Sequence, residues 1–378
     1  MQNQSCEHCG GCAFRNLEEE VYRSKKKEDF LRTINSIKNA TPIIDECIFI
    51  ADGKRRRADL SFFYSKKKLQ LGFNEAESHK LVNIENCPML NESLNAFLPK
   101  VRYFLQEFCS IFITIRNKKN IEKKAITKGS VRILHADNGI DMLLEIETEP
   151  NIEHRMLVAD FVNRQPEICR VSWRIKEKGA ETIAEKMAPE LHIADYIIKI
   201  PQDVFLQASK DAENKMIEKV LDYMGNTHGK IADLFCGLGT FTYPLACTPE
   251  NKIISIDSYE SSIQGLQKAL AYNQIHNVSV MKRNLFKDPL DENELKDVKA
   301  IVIDPPRAGA HEQCREILKI EKKNYPEKIV FVSCNPKTFV YDANILIDAG
   351  YTLERITMID QFVYSKHQEL IALFINKK

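Results

Sequence analysis

The chain has 378 residues, 44% of them hydrophobic, and a formal net charge of +1. That length suits about two to three domains with sizeable cores, and the near-neutral balance excludes a protein that coats nucleic acid by charge alone, though not a local basic face. No run reaches the roughly 18 apolar residues of a membrane helix, and residues 1–12 lack a signal-peptide core, so the sequence reads as cytoplasmic, its eleven cysteines reduced rather than paired.

Cys6-x-x-Cys9-x-x-Cys12 opens the chain, and Cys87-Pro88 follows far downstream. Three close thiolates plus a Cys-Pro match ferredoxin-type ligation of a cubane cluster. Gly10 and Gly11 permit the tight curvature around one metal centre. Structural zinc on the same thiolates, or on three of them with His8, is the alternative. A polar, charge-dense helix is predicted over residues 17–37. Strands are predicted over 58–64, 112–115 and 142–146, so the region to about residue 196 reads as sheet-rich. Basic stretches lie within it: Lys54 to Arg57, Lys66 to Lys68, and the run Arg116, Lys118, Lys119, Lys123, Lys124, Lys128 and Arg132. Such stripes suit phosphate contacts.

From about residue 200 the pattern changes. A helix is predicted over 211–224. Continuous apolar runs at 231–235, 252–257, 300–304 and 328–333 then alternate with helical stretches such as 261–273 and 338–349. This is an α/β pattern, a parallel sheet covered on both faces, and a last run at 370–375 adds a further strand. Ligands in such folds sit at the carboxyl ends of the strands.

Asp233-Leu234-Phe235-Cys236-Gly237-Leu238-Gly239-Thr240 follows the first of these runs. Its glycines allow a tight turn and close approach to a ligand. A dinucleotide fingerprint wants a third glycine, where Thr242 stands. Asp257, ending the next run, can accept from a ribose diol. Together they fit a nucleoside cofactor without a pyrophosphate, S-adenosylmethionine. Asp304-Pro305-Pro306-Arg307 ends the third run. An aromatic residue in place of Arg307 would point to amino-methylation of adenine. Cys334, in Val332-Ser333-Cys334-Asn335-Pro336, ends the fourth run at the same sheet edge. A thiolate there is a strong nucleophile. Glu369, just before the last run, is the candidate base. Uracil C5 becomes nucleophilic only after thiolate addition at C6, and it then needs a base to remove its proton. The remaining thiols Cys47, Cys109, Cys169, Cys247 and Cys314 read as inert and buried.

Asp-Leu-Phe-Cys-Gly-x-Gly, Asp-Pro-Pro-Arg, Ser-Cys-Asn-Pro and a terminal His-x-Glu, in this order, resemble the RNA uracil-5 methyltransferase family. The match runs from about residue 200 to the end. It implies a Rossmann-like class I methyltransferase domain over 197–378, preceded by a sheet-rich α+β, cluster-bearing, RNA-binding region over 1–196. The resemblance implies that residues 15–47 pack on the catalytic domain. It places Gln207, Phe235, Asp257, Asn284 and Asp304 at S-adenosylmethionine, Cys334 as nucleophile and Glu369 as proton acceptor. It makes Cys6, Cys9, Cys12 and Cys87 ligands of a [4Fe-4S] cluster, and Arg55 to Arg57 an RNA contact. Gln361-Phe362-Val363-Tyr364-Ser365 departs from the family's Met-Phe-Pro-His-Thr. The family's optional N-terminal β-barrel is not expected, because the cysteine motif starts almost at Met1. The pattern is most like the RlmC-type branch acting on 23S ribosomal RNA, with transfer RNA as the second substrate. A non-catalytic RNA-binding iron–sulfur protein is the rival from another class. No membrane and no obligate protein partner are expected.

Overall fold

A computed structural model describes residues 9–75, 78, 80–116, 121–176 and 178–376. The expectations for Cys6, His8, Lys118 and Lys119 therefore concern positions outside the described residues. The chain forms two compact units, residues 1–13 with 51–191, and residues 14–50 with 192–378. It thus enters the second unit once near its start and again for its C-terminal half.

In the first unit the strands Arg57–Ser65, Lys68–Asn74, Leu81–Asn83, Lys128–Ala136, Gly139–Ile146, Ile168–Ile175 and Ala180–Glu185 share one sheet. The helix Glu92–Ser110 covers it. Leu94, Phe97, Leu98, Val101, Phe104, Leu105 and Phe108 recur at helical spacing and are all buried. Asn91 caps that helix by accepting from Leu94 N at 3.0 Å. The sheet's strands alternate inward and outward, and this corrects one expectation about the basic surface. Arg56 points inward and is buried. Arg57 keeps only 20% of its side-chain exposure and pairs with Asp59 at 3.4 Å. Period two in a strand forbids three neighbouring arginines from sharing a face. Lys54 is exposed, Arg55 half-exposed. Lys66 and Lys67 form the two-residue turn of the first hairpin, whose arms pair at Ser65 and Lys68. Both carry positive φ, 50° and 61°.

In the second unit the main sheet holds β1 (Lys230–Leu234), β2 (Lys252–Asp257), β3 (Val278–Lys282), β4 (Val298–Ile303), β5 (Lys328–Ser333), β6 (Tyr351–Asp360) and β7 (Glu369–Asn376). Their order across the sheet is 3-2-1-4-5-7-6. The two-residue strands Ile43–Ile44 and Ile48–Phe49 add to β6 in parallel. β7 runs antiparallel to both β5 and β6. The apolar run itself carries no direction. The connection 361–368 is short, and a parallel return needs a crossover of about a dozen residues or more. Strand order reverses between β1 and β4, which opens a crevice at their carboxyl ends.

Candidate active site

Five of the singled-out residues stand at the carboxyl ends of five parallel strands. Phe235 follows β1, Asp257 ends β2, Asn284 follows β3, Asp304 follows β4 and Cys334 follows β5. The turn after β1 is unusual in its backbone. Phe235, Gly237 and Gly239 all have positive φ, 60°, 55° and 98°. At Gly239 a Cβ would come within 2.8 Å of Leu266 and 2.9 Å of Tyr243, so only glycine fits there. At Gly237 a Cβ would meet nothing within 4 Å, so this stretch of backbone lines open space. Asp257 braces the turn, its Oδ2 accepting from Gly237 N at 3.0 Å and its Oδ1 from Tyr259 N at 2.8 Å. Each oxygen retains a lone pair for a diol. Phe235 and Phe286 stand with ring centroids 5.4 Å apart. Asn284 accepts from Phe286 N at 3.0 Å and so sets that second ring.

The floor of the crevice is acidic. Asp233, fully buried, accepts from Thr242 Oγ1 at 2.5 Å. Burial pushes its carboxyl up to about 7. Asp304 is pushed well up, first by burial and then by the charges of Glu369, Asp233 and Asp257. Carboxylates crowded out of water disfavour one another's ionisation.

Cys334 and Glu369 meet because of strand register. β5 and β7 pair Ser333 with Leu370, so one step further Cys334 comes opposite Glu369. Burial raises the Cys334 thiol to about 11, with Glu369 and Asp304 adding to the rise and the Arg307 guanidinium opposing it. Glu369 is 2% exposed. Burial raises its carboxyl to about 7, against a hydrogen bond from Gln361 that favours the charge. Arg307 is placed by its own carbonyl, which accepts from Asn335 Nδ2 at 2.9 Å and Thr338 Oγ1 at 3.2 Å. Its guanidinium lies 3.2 Å from His367 Nε2.

Four residues of this region carry no motif in the sequence. Gln361 Nε2 donates to Glu369 Oε2 at 2.6 Å and to Gln207 Oε1 at 3.2 Å. Lys26 and Tyr22, on the helix Glu19–Asn35, both reach Asp360 at the end of β6. The Lys26–Asp360 pair is 2.9 Å apart and both side chains are 1% exposed, and Tyr22 donates its hydroxyl to Asp360. Lys26 also donates to the carbonyls of Ser365 and His367. The one signal in the sequence is the buried stripe Tyr22, Lys26, Phe30, Ile34 at four-residue spacing, and a lysine within it hides its apolar character. Cys109, Cys169 and Cys314 are buried and Cys47 half-buried, as expected of inert thiols, whereas Cys247 is exposed at a helix end.

Among the cluster cysteines, Cys9 bridges to Glu75 beside the strand Lys68–Asn74. Burial raises the Cys87 thiol, and the nearby Cys9 adds to the rise. Cys9, Cys12 and Cys87 are half-buried. Among the described residues no group of three metal-ligating side chains is assembled, and Cys6 lies outside them.

Sheet order, a glycine turn over open space and acids at the strand ends define a class I S-adenosylmethionine-dependent methyltransferase. The sequence model described as tRNA (Uracil-5-)-methyltransferase matches residues 22–378. An RNA methyltransferase of Agrobacterium fabrum is 34% identical, over 97% of this chain and 82% of the relative. A 23S rRNA (uracil(1939)-C(5))-methyltransferase of Mannheimia succiniciproducens is 29% identical, over 99% and 82%. The fold is shared with the tRNA (uracil-54, C5)-methyltransferase of Pyrococcus abyssi, solved with S-adenosyl-L-homocysteine, at TM-score 0.72, 21% identity and coverage of 97% and 86%. The chain belongs to the RNA uracil-5 methyltransferase family. It is an S-adenosylmethionine-dependent enzyme that methylates uracil C5 in RNA. No helix among the described residues is long and apolar enough to cross a membrane.

Proposed function

We propose that the enzyme methylates a uridine of 23S ribosomal RNA, with Cys334 as nucleophile and Glu369 as proton acceptor. The observation that carries the division of labour is their opposition across β5 and β7. Cys334 gives up its proton to solvent and its sulfur bonds to uracil C6, which makes C5 nucleophilic. When bound, S-adenosylmethionine supplies an electrophilic methyl group, which C5 takes. Glu369, whose raised carboxyl titrates near the working range, removes the C5 proton. The Cys334–C6 bond then breaks and 5-methyluridine leaves. Gln207, Phe235, Asp257, Asn284 and Asp304 hold the methyl donor. The open face of Gly237, the two phenyl rings and the lone pairs of Asp257 suit a nucleoside.

Ribosomal RNA is supported by the likeness to the Mannheimia enzyme over 99% of this chain. Transfer RNA is the second reading, favoured by the description of the matching family. The RNA substrate supports a cytoplasmic location. Cys6, Cys9, Cys12 and Cys87 are proposed to hold a [4Fe-4S] cluster, with zinc as the alternative. The half-burial of Cys9, Cys12 and Cys87 and the nearness of Cys9 to the Cys87 thiol support this. Anaerobically purified protein should be brown and contain iron and sulfide, and Cys9→Ala should bleach it. Stoichiometric zinc without sulfide overturns the cluster.

The nucleophile and base are tested on a denaturing gel with target RNA and methyl donor. Glu369→Gln should add to uracil, transfer the methyl group and stall as a covalent protein–RNA band. Cys334→Ala should give no band, and the double variant should match it, because the later step is never reached. A band that survives without Cys334 refutes the assignment. Mapping 5-methyluridine in ribosomal and transfer RNA, with and without the gene, decides the substrate.

A further inference from the structure

Gln361 stands between β6 and β7. Its side chain is 5% exposed. Its Nε2 faces two oxygen acceptors, Glu369 Oε2 at 2.6 Å and Gln207 Oε1 at 3.2 Å. Only the nitrogen end of an amide can serve both, so the orientation is fixed by chemistry. The cost falls on Oε1, which is buried with no partner among the described residues. Its backbone is held as firmly as its side chain. Asp360, the residue before it, is locked by Lys26 and Tyr22. At the other end of the loop, Gln368 Nε2 donates to Lys26 O at 3.0 Å. β6 and β7 pair Ile359 with Glu369, so Gln361 turns back onto a carboxylate eight positions later in the chain.

We infer that Gln361 is a positioning residue for methyl-group chemistry at C5, aiming the Glu369 carboxylate and tying it to Gln207 on the cofactor side. This rests on the reading of Glu369 as proton acceptor. The groups facing Glu369 are Asp304 after β4 and Cys334 after β5, with Arg307 beyond the thiol. His367 lies on the adjoining loop, and the Lys26–Asp360 pair lies on the neighbouring helix and strand end. Burial opposes charge on Glu369, and the Gln361 hydrogen bond favours it. A carboxylate that loses such a donor binds its proton more tightly. It is then a base only at higher pH, and it is free to rotate away from C5.

The test follows adduct formation and adduct resolution separately, in single turnovers of the full-length enzyme with target RNA and saturating S-adenosylmethionine, from pH 6 to 9. Gln361→Met keeps the length and removes the donor. It should form the covalent adduct at a rate close to wild type. It should resolve it about tenfold more slowly at neutral pH, with the midpoint of the resolution profile moved up by about one pH unit. Gln361→Glu, of equal length, sets a second carboxylate against the first and should move the midpoint further. A side chain that merely supports the fold would slow both steps alike and leave the midpoint in place. That result, or wild-type resolution in both variants, overturns the inference. Glu369→Gln run alongside separates the two claims. If it fails to trap the adduct, the reading of Glu369 fails. If it traps the adduct while both Gln361 variants resolve theirs with the wild-type profile, only the role of Gln361 fails.

Discussion

The burial of Glu369 has a consequence for stability. Its carboxyl titrates near 4.5 in an ordinary setting and near 7 in the fold. Between these values the folded protein holds a proton that the unfolded chain has released, so stability falls as pH rises through that window. Above about 7 the full penalty of a buried charge is present. Glu369→Gln removes it. The variant should therefore melt a few degrees above wild type at pH 8, and the difference should vanish near pH 4.5. Differential scanning calorimetry across that range checks the sign, and a difference that grew toward low pH would contradict the burial of this carboxylate. Asp233 does not feel Glu369 and cancels in the comparison, whereas Asp304 loses the repulsion of Glu369 in the variant, which acts in the same direction. Cys334 and Glu369 are legible in the sequence because each adjoins a continuous apolar run, and strand ends are where such folds place chemistry. Gln361 is not legible, since its partner is set by the β6–β7 register, which no local pattern encodes.

At the scale of elements, the helix Glu19–Asn35 braces the loop between β6 and β7, which leads into Glu369. Lys26 and Asp360 are a buried ion pair, and removing one partner strands the other. Lys26→Met should cost about 3–5 kcal/mol in urea unfolding, and Lys26→Met with Asp360→Leu should recover most of it. Equal losses in the single and double variants would show that the pair is not coupled. The hairpin turn at Lys66 and Lys67 makes the opposite trade. Two central residues with positive φ favour Asn-Gly, and two lysines there are strained. Replacing the pair by Asn-Gly should stabilise the first unit by about 1 kcal/mol. It should also weaken RNA binding and flatten its salt dependence. Unaltered affinity across a salt series would remove this turn from the RNA surface. The basic stretches are legible as composition, but the inward turn of Arg56 needs the strand phase, which the hydrophobic neighbours Ala58 and Leu60 reveal only once the strand's start is known. The apolar runs mark the strands of the second unit well, while the antiparallel sense of β7 depends on loop length and pairing.

At the scale of the molecule, the chain leaves the second unit after residue 50 and returns at residue 192. The C-terminal half is therefore not a self-sufficient domain. A fragment of residues 192–378 lacks the two short strands on β6, the Lys26–Asp360 pair and the hydroxyl of Tyr22. It should expose apolar surface and bind dye as a loosened globule, and a peptide of residues 14–50 added in trans should restore cooperative melting. A fragment that melts cooperatively alone would show that the early segment is dispensable.

The bond from Tyr22 to Asp360 spans 338 positions of the chain. On a ribosome adding about 5–20 residues per second, the early helix waits through most of synthesis for the strand end it must hold. The first unit has its full complement of chain by residue 191 and can fold while translation continues. The Glu369 carboxylate gains its brace only when the final strand has emerged. A nascent or truncated chain can therefore present a folded first unit before its methyltransferase unit is complete.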